Sequence, residues 1–203
     1  NGIPWWYFQK CPGPYEGQRI EAVDPGGLIQ KGIEIDRVVG SVVYLASEIE
    51  EPGVIRHVEG DRISFGELDG AESPRVQEIA KIFREAGFKS RVLTDIRSEI
   101  WLKLWGNASF NPISALSHAT LAEICKFPLS RELVARMMAE IQAVGEALGS
   151  TFRVSIDRRI AGAAGVGEHK TSMLQDVEQG RTLELDALIG AVVELGKLTG
   201  LAM

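Results

Sequence analysis

The feature that most constrains the fold is a change in residue patterning near Asp95. Before it, the chain runs in short segments that are rich in valine or partly alternate apolar and polar residues, as β-strands do. After it, apolar residues recur at the three- and four-residue spacing of amphipathic helices. No low-complexity linker separates the two parts. We therefore predict an α/β domain over residues 1–95, followed by an all-helical domain over residues 96–203.

Within the first part, a valine-rich strand is predicted at residues 37–49, followed by two short antiparallel strands joined by a turn at residues 59–61. Ser73 and Pro74 are typical of a helix start, and Gly87 is typical of a helix end, so a helix is predicted between them. Residues 90–95 are predicted to form a further strand.

In the second part, Asp95 is a suitable cap for a helix that we expect to end or kink at Asn111 and Pro112, since the residue before proline disfavours the α region. Further helices are predicted to start after Ser130 and close at Gly149, to span residues 156–167, and to end at Gly200.

Composition and charge exclude several classes of function. The net charge of −6 and the scattered basic residues argue against nucleic acid and anionic membranes as partners. No window approaches the roughly 18 apolar residues of a membrane span. Cys11 and Cys125 lie far apart and match no metal or redox spacing, so a reducing cytoplasm and no metal site are predicted.

Polar residues interrupt one apolar run, "WLKLWGNASFNP" at residues 101–112. Lys103 and Asn107 are four positions apart and share one face of a helix. A lysine among tryptophan and leucine is partly desolvated, which makes its proton easier to donate to a carbonyl oxygen. The alternative is a lysine that extends from an amphipathic helix into solvent, with asparagines capping a kink.

A second polar stretch, at residues 167–186, precedes the last predicted helix. It contains Ser172 and, twelve positions later, Glu184. Glu184 is a candidate acceptor for a substrate hydroxyl, but a carboxylate at the start of a helix also has a purely structural explanation in the helix dipole. The polar residues before "MLQD" equally suit an ordinary loop between helices.

Three segments together resemble the ketopantoate reductase family. They are "NGIPWWYF" at the start, "WLKLWGNASFNPISAL", and "HKTSMLQDVEQGRTLELDALIGAVVELG", and the last two lie about 70 residues apart. The resemblance implies NADPH-dependent reduction of a small 2-oxo acid, with 2-dehydropantoate reduced to pantoate for pantothenate biosynthesis. It also implies a Rossmann-type nucleotide domain followed by a helical domain like the C-terminal domain of 6-phosphogluconate dehydrogenases.

By the same resemblance, Lys103 takes the position of the general acid and Asn107 that of the asparagine that positions the substrate. Ser172 falls where the family binds the substrate carboxylate, and Glu184 where it binds the substrate hydroxyl. Asn1 matches an asparagine beside the nicotinamide. Asn111 looks like a structural member of the motif.

The chain departs from the family pattern at His169 and Leu121, where the family tends to have asparagines. Both departures weaken the case for 2-dehydropantoate and leave another 2-oxo acid as the alternative. The G-x-G-x-x-G segment is also missing, so we expect an inactive fragment with only the back half of the nucleotide domain. For the fragment itself, a non-catalytic helical dimerisation module is the rival, with a homodimer formed through the last helices and their apolar residues Leu188, Val192, Val193 and Leu195.

Overall fold

The structure is a computed structural model that describes residues 2–203. The chain divides into two compact units. We call residues 8–18 and 30–99 the sheet unit, and residues 2–7, 19–29 and 100–203 the helical unit. The domain boundary at residue 95 stays a prediction about the whole protein.

The helices and strands follow one another along the chain with short connections. Their bounds are α1 (Leu28–Gly32), β1 (Gly40–Glu51), β2 (Val54–Gly66), α2 (Pro74–Glu85), β3 (Lys89–Val92), α3 (Ile96–Ser117), α4 (Leu121–Lys126), α5 (Pro128–Ala147), α6 (Ile156–Gly165), α7 (Ser172–Glu178) and α8 (Ala191–Leu198). Short 3₁₀ turns lie at Pro25–Gly27 and Ile35–Arg37, and a π-helical turn at Asp186–Gly190 leads into α8.

The sheet unit is a three-stranded sheet with one covering helix. β1 pairs with β2 antiparallel, and β2 pairs with β3 in parallel. Because parallel neighbours need a crossover, α2 lies between β2 and β3 in the chain and packs its apolar face on the sheet. The core of this unit is formed by Ile63, Phe65, Val76 and Ala80.

The predicted turn at residues 59–61 is wrong, because β2 runs through it as one strand. The pairing of β1 with β2 changes register between Tyr44 and Ala46, which creates a β-bulge in β2 at Gly60 and Asp61. Gly60 has a φ of +74°, and a Cβ there would lie 2.4 Å from the carbonyl oxygen of Tyr44. The tight turn is at Pro52–Gly53 instead. Pairing with a distant strand has overridden a local turn signal.

The helix and strand predicted after this hairpin are confirmed. The hydroxyl of Ser73 accepts a hydrogen bond from the backbone N–H of Val76 at 3.3 Å, and Pro74 is the first helical residue. Gly87 follows the helix with a φ of +95°, which a glycine adopts without strain.

One buried carboxylate, Glu67, connects the end of β2 to the start of α2. Arg75 donates from Nε to Glu67 at 2.7 Å and from Nη2 to the carbonyl oxygen of Val38 at 3.2 Å, and the Ser73 hydroxyl also donates to Glu67. The hydrogen bond from Arg75 lowers the pKa of Glu67, while burial acts in the opposite direction. Arg75 and Glu67 therefore satisfy each other within the fold.

The start of α3 was predicted correctly, but its end was not. Asp95 accepts a hydrogen bond from the backbone N–H of Ser98 at 3.0 Å and caps α3, as predicted. The predicted helix end at Asn111 and Pro112 is wrong, because α3 continues to Ser117. Asn111 is only 5% exposed and Ser114 is fully buried. Packing on both sides of the proline therefore outweighs the local cost of its missing N–H.

Of the remaining helices, α6 starts at Ile156 as predicted, and α4 was not predicted. α5 begins at Pro128, before the proposed cap Ser130. The segment beginning at Thr171, which also suited an ordinary loop, forms the short helix α7, with Thr171 as its N-cap. The last helix is present, but it starts with a π-helical turn.

Candidate active site

α3 is fixed in the helical unit by its tryptophans. Trp101 and Trp105 are both 0% exposed. The indole N–H of Trp105 donates to the carbonyl oxygen of Met138 in α5 at 2.7 Å, and that of Trp101 donates to the hydroxyl of Tyr7 at 2.7 Å. Buried, hydrogen-bonded indoles set the rotation of the helix about its axis, and that rotation decides where Lys103 and Asn107 point.

Lys103 is half-buried on α3 and interacts with the charge of Glu184. Burial lowers the pKa of the Lys103 ammonium, and the negative charge of Glu184 partly offsets that shift. The two residues are 81 positions apart in the sequence (184 minus 103), so the fold brings them together. The structure thus juxtaposes a partly desolvated amine and a carboxylate, two of the residues singled out from the sequence.

Glu184 is exposed and lies two residues before the π-helical turn. The carbonyl oxygen of Ala187 in this turn accepts a hydrogen bond from the backbone N–H of Ile3 at 3.0 Å. Gly2 has a φ of +75°, and a Cβ there would lie 2.3 Å from the same oxygen. Gly2 and Ile3 therefore approach the turn that follows Glu184. Asn1 itself lies outside the described residues, and its role beside the cofactor stays a prediction.

A cavity of about 280 Å³ lies beside α3, one helical turn beyond Lys103. We call it the α3–α6 cavity. Asn107 and Ser172, both predicted to bind substrate, line it together. The other lining residues are Gly106, Phe110, Asn111, Leu121, Arg159, Gly162, Ala163, Val166, His169 and Thr171. Lys103 and Glu184 are not among its lining residues, so the site consists of a charged pair and a neighbouring cavity connected along α3.

The wall that carries Ser172 is fixed by backbone and capping hydrogen bonds. Thr171 is 5% exposed, and its hydroxyl accepts a hydrogen bond from the N–H of Leu174 at 3.2 Å. The carbonyl oxygen of His169 accepts from the N–H of Leu121 at 3.1 Å. This bond ties the segment before α7 to the start of α4. The two positions that depart from the family pattern are therefore neighbours in the cavity wall.

Sequence reasoning missed Arg159, which reaches the cavity from α6. Its Nε is buried and finds no hydrogen-bond partner among residues 2–203. The guanidinium lies over Gly106, where a Cβ would be 2.7 Å from Nη2. The available signal was the helical spacing from Arg159 to the small residues Gly162 and Ala163, which leave room along one face.

Asn111 is the second polar group of the cavity with unused hydrogen-bonding capacity. Its side-chain nitrogen is buried and, within the described part of the chain, has no hydrogen-bond partner. The sequence motif gave it a structural role only. Buried polar groups are nearly always paired, so an orphan amide in a cavity wall calls for a ligand or a solvent molecule.

Within residues 2–203, no grouping of three or more histidine, cysteine, aspartate or glutamate residues could hold a metal ion. None of the helices in that range is long and apolar enough to cross a membrane.

Comparisons with known proteins agree on one family. The family model "Ketopantoate reductase PanE/ApbA C terminal" matches residues 95–203. A 2-dehydropantoate 2-reductase from Mesorhizobium japonicum is 58% identical over 198 residues, which are 98% of this chain and 61% of that protein.

Solved structures show the same likeness in three dimensions. A crystal structure from Ralstonia solanacearum MolK2, described as a candidate ketopantoate reductase, has a TM-score of 0.94 at 41% identity, and the match covers 100% of this chain and 62% of that one. A 2-dehydropantoate 2-reductase from Geobacter metallireducens GS-15 has a TM-score of 0.79 at 32% identity, covering 86% of this chain and 59% of that one.

The proteins that this chain resembles are, by name, oxidoreductases. Within that class, the chain belongs to the ketopantoate reductase family. It spans about three fifths of the length of the relatives that it matches, 61% of the Mesorhizobium japonicum protein and 60% of the Aquifex aeolicus protein.

Proposed function

We propose that this chain is the substrate-binding part of a longer NADPH-dependent reductase that converts a 2-oxo acid into a 2-hydroxy acid. The observation that carries the proposal is the half-buried Lys103 amine, whose pKa is lowered by burial and which interacts with Glu184. The reduction of 2-dehydropantoate to pantoate is the first reaction to test, because the 58% identical relative bears the name of that activity.

In this proposal, Lys103 donates a proton to the carbonyl oxygen of the substrate as the carbonyl carbon is reduced. A lowered pKa favours this role, since it makes the ammonium a stronger acid. Asn107, one turn further on α3, orients the substrate through its amide. Ser172 binds the substrate carboxylate, and Glu184 accepts a hydrogen bond from the substrate hydroxyl.

NADPH supplies the hydride when it is bound. Residues 2–203 contain no strand, glycine-rich loop and helix in the order that binds a pyrophosphate, because the glycines at 162–167 belong to and follow helix α6. We propose that the phosphate-binding half of a Rossmann-type domain belongs to the rest of the longer protein, and that the sheet unit is the second half of that domain. This chain alone is then expected to be inactive.

A second candidate substrate is a different 2-oxo acid. The specific observation in its favour is the composition of the α3–α6 cavity, which has Leu121 and His169 where the family tends to have asparagines, and Arg159 in addition. The activity class is unchanged by this alternative.

The rival proposal of a dimerisation module has lost three of the four residues on which it was based, and the fourth, Val193, is half-buried. Leu188, Val192 and Leu195 are 1%, 3% and 0% exposed, so they form the core of the helical unit itself. A homodimer of the longer enzyme stays a prediction without these residues as its basis.

The proposed function is tested by following NADPH oxidation by the longer enzyme with a panel of 2-oxo acids that includes 2-dehydropantoate. We expect one or more of them to be reduced, and we expect NADH to be the poorer cofactor. If none of the 2-oxo acids in the panel supports NADPH oxidation, the proposed activity is refuted.

A further inference from the structure

The α3–α6 cavity contains hydrogen-bond donors that the protein itself does not use. Arg159 Nε and the side-chain nitrogen of Asn111 are both buried there without hydrogen-bond partners among residues 2–203. Asn111 is more than nine-tenths buried. A buried Nε donor of a charged guanidinium that has no hydrogen-bond partner is unfavourable for folding, and an anion bound to the guanidinium would offset that cost.

The cavity also lacks any negative charge that could neutralise Arg159. None of its lining residues is an aspartate or a glutamate. The wall instead offers neutral donors and acceptors from Asn107, Thr171 and Ser172. A planar guanidinium with two parallel N–H groups matches the geometry of a carboxylate, which is also the group that a small organic acid would present.

Gly106 gives the guanidinium its place beside α3. It lies within helix α3 between Lys103 and Asn107 and has no positive φ, so its lack of a side chain serves the contact with Arg159 rather than a turn. The first carboxylate and the carbonyl group of a 2-oxo acid, and the hydroxyl of a substrate that carries one, are already assigned to Ser172, Lys103 and Glu184 in the proposed function. Arg159 and Asn111 are left for a further group.

We propose that Arg159 and Asn111 form a subsite for a second carboxylate, so that the preferred substrate of the enzyme is a 2-oxo dicarboxylic acid. This inference rests on the proposed function for the reaction, but the subsite itself is defined by the cavity. It predicts that an acid with a second carboxylate binds better than an acid of the same chain length without one.

The matched probes are 2-oxopentanedioate and 2-oxopentanoate, which differ only in the second carboxylate. Calorimetric titration of this chain is expected to show at least about tenfold tighter binding of the diacid, the size expected for a hydrogen-bonded charge pair. In the longer enzyme, kcat/KM is expected to favour the diacid by a similar factor.

The variant Arg159→Gln is expected to lower the ratio of diacid to monoacid affinity by about 10- to 100-fold, and Arg159→Lys is expected to restore part of it. Arg158→Gln is the matched control, because Arg158 is an exposed arginine on the same helix and does not line the cavity. The ratio of diacid to monoacid affinity of this control is expected to equal that of the parent chain. Circular dichroism of each variant verifies that the helices are intact.

Several results would overturn the subsite. One is equal affinity for both acids in this chain together with equal kcat/KM in the longer enzyme. Another is an Arg159→Gln variant that weakens both acids equally, since Arg159 would then bind the carboxylate that they share. Calorimetry needs no turnover, so a diacid preference without NADPH oxidation would refute the reductase and keep the subsite. Reduction of 2-oxo acids without a diacid preference that depends on Arg159 would refute the subsite and keep the reductase.

Discussion

Two arginines in different units of the molecule carry the same charge and are used in opposite ways. In the sheet unit, Arg75 is held by the buried carboxylate of Glu67 and by a backbone carbonyl oxygen. In the helical unit, Arg159 has a buried Nε without a hydrogen-bond partner among residues 2–203. The difference separates a cation that stabilises the fold from one that is left for a ligand, and pairing distinguishes them where exposure alone would not.

The same contrast extends to the other charges of the candidate site. Lys103 is desolvated, and the charge of Glu184 only partly offsets the effect on its pKa. Glu67, by contrast, has a lowered pKa because Arg75 and Ser73 hydrogen-bond to its charged form. The pair of Glu67 and Arg75 therefore stabilises the fold, whereas we propose that Lys103 and Glu184 act on a substrate.

The largest expected effect comes from removing the amine. In the longer enzyme, Lys103→Ala is expected to lower kcat by a factor of roughly 10² to 10⁴, the usual loss for a general acid. Since a desolvated ammonium does not favour folding, the melting temperature is expected to change little. Steady-state kinetics and thermal unfolding of the same preparation check both expectations. Full activity of this variant would remove Lys103 from the mechanism.

The opposite pattern is expected for the ion pair of the sheet unit. Glu67→Ala leaves the Arg75 guanidinium without its carboxylate and is expected to lower the free energy of unfolding by about 2 kcal/mol. Urea unfolding of this chain measures the loss, and Glu78→Ala, at an exposed position of α2, is the control with an expected change below about 0.5 kcal/mol. Equal losses in the two variants would contradict the structural role of the pair.

The contribution of Glu67 also has a defined pH dependence. Its pKa in the folded chain lies below the ordinary value of 4.5, so the folded state binds fewer protons than the unfolded state in acid. The stabilisation is therefore complete above pH 4.5 and is lost as the pH falls through the folded-state pKa. Unfolding free energies of the parent chain and Glu67→Gln are expected to converge on acidification.

The charge of Glu184 is expected to have a smaller effect that is visible in the pH profile of the longer enzyme. Because the proton donor must be charged, kcat/KM is expected to fall as the pH rises through the pKa of Lys103, which lies below its ordinary value of 10.5. Glu184→Gln removes the charge that raises this pKa, so the alkaline limb is expected to move to lower pH. A limb that stays in place would show that Glu184 does not act on the amine.

The smallest effect is expected at Gly106. Alanine there favours the helix, by up to about 1 kcal/mol, and its Cβ would meet only the flexible end of the Arg159 side chain. Gly106→Ala is therefore expected to leave the chain as stable as before or slightly more so, while it moves the guanidinium and weakens diacid binding a few-fold. Thermal unfolding checks the stability, and calorimetry checks the affinity for the diacid. A large loss of stability would show that the Arg159 side chain cannot move away from the new Cβ.

How much of this could be predicted from sequence depends on the range of the interactions. Ser73, Gly87 and Asp95 were found because a cap acts within a few residues of itself. The bulge at Gly60 and the continuation of α3 past Pro112 were missed because a distant strand and the surrounding core decide them.

The site shows the same limit. Lys103 and Asn107 share a helix face that their spacing reveals, but their roles came from the resemblance to a family. Arg159 is 53 positions from Gly106 (159 minus 106), and no local pattern pairs the two. Arg159 lies outside the segments that carry the resemblance, so only the folded chain shows that it reaches the cavity.

The π-helical turn at Asp186–Gly190 adds one residue to a helical turn. This extra residue determines the direction about the helix axis in which the preceding side chains, including Glu184, point. Each helical residue accounts for about 100° of rotation, so deleting one residue between 186 and 190 would swing the Glu184 carboxylate about a quarter of the way around the axis, away from Lys103. The spacing of this segment is thus as much a part of the acidic group's function as the glutamate itself. A related sequence that has the glutamate but lacks one residue of the π-helical turn would therefore point its carboxylate in a different direction.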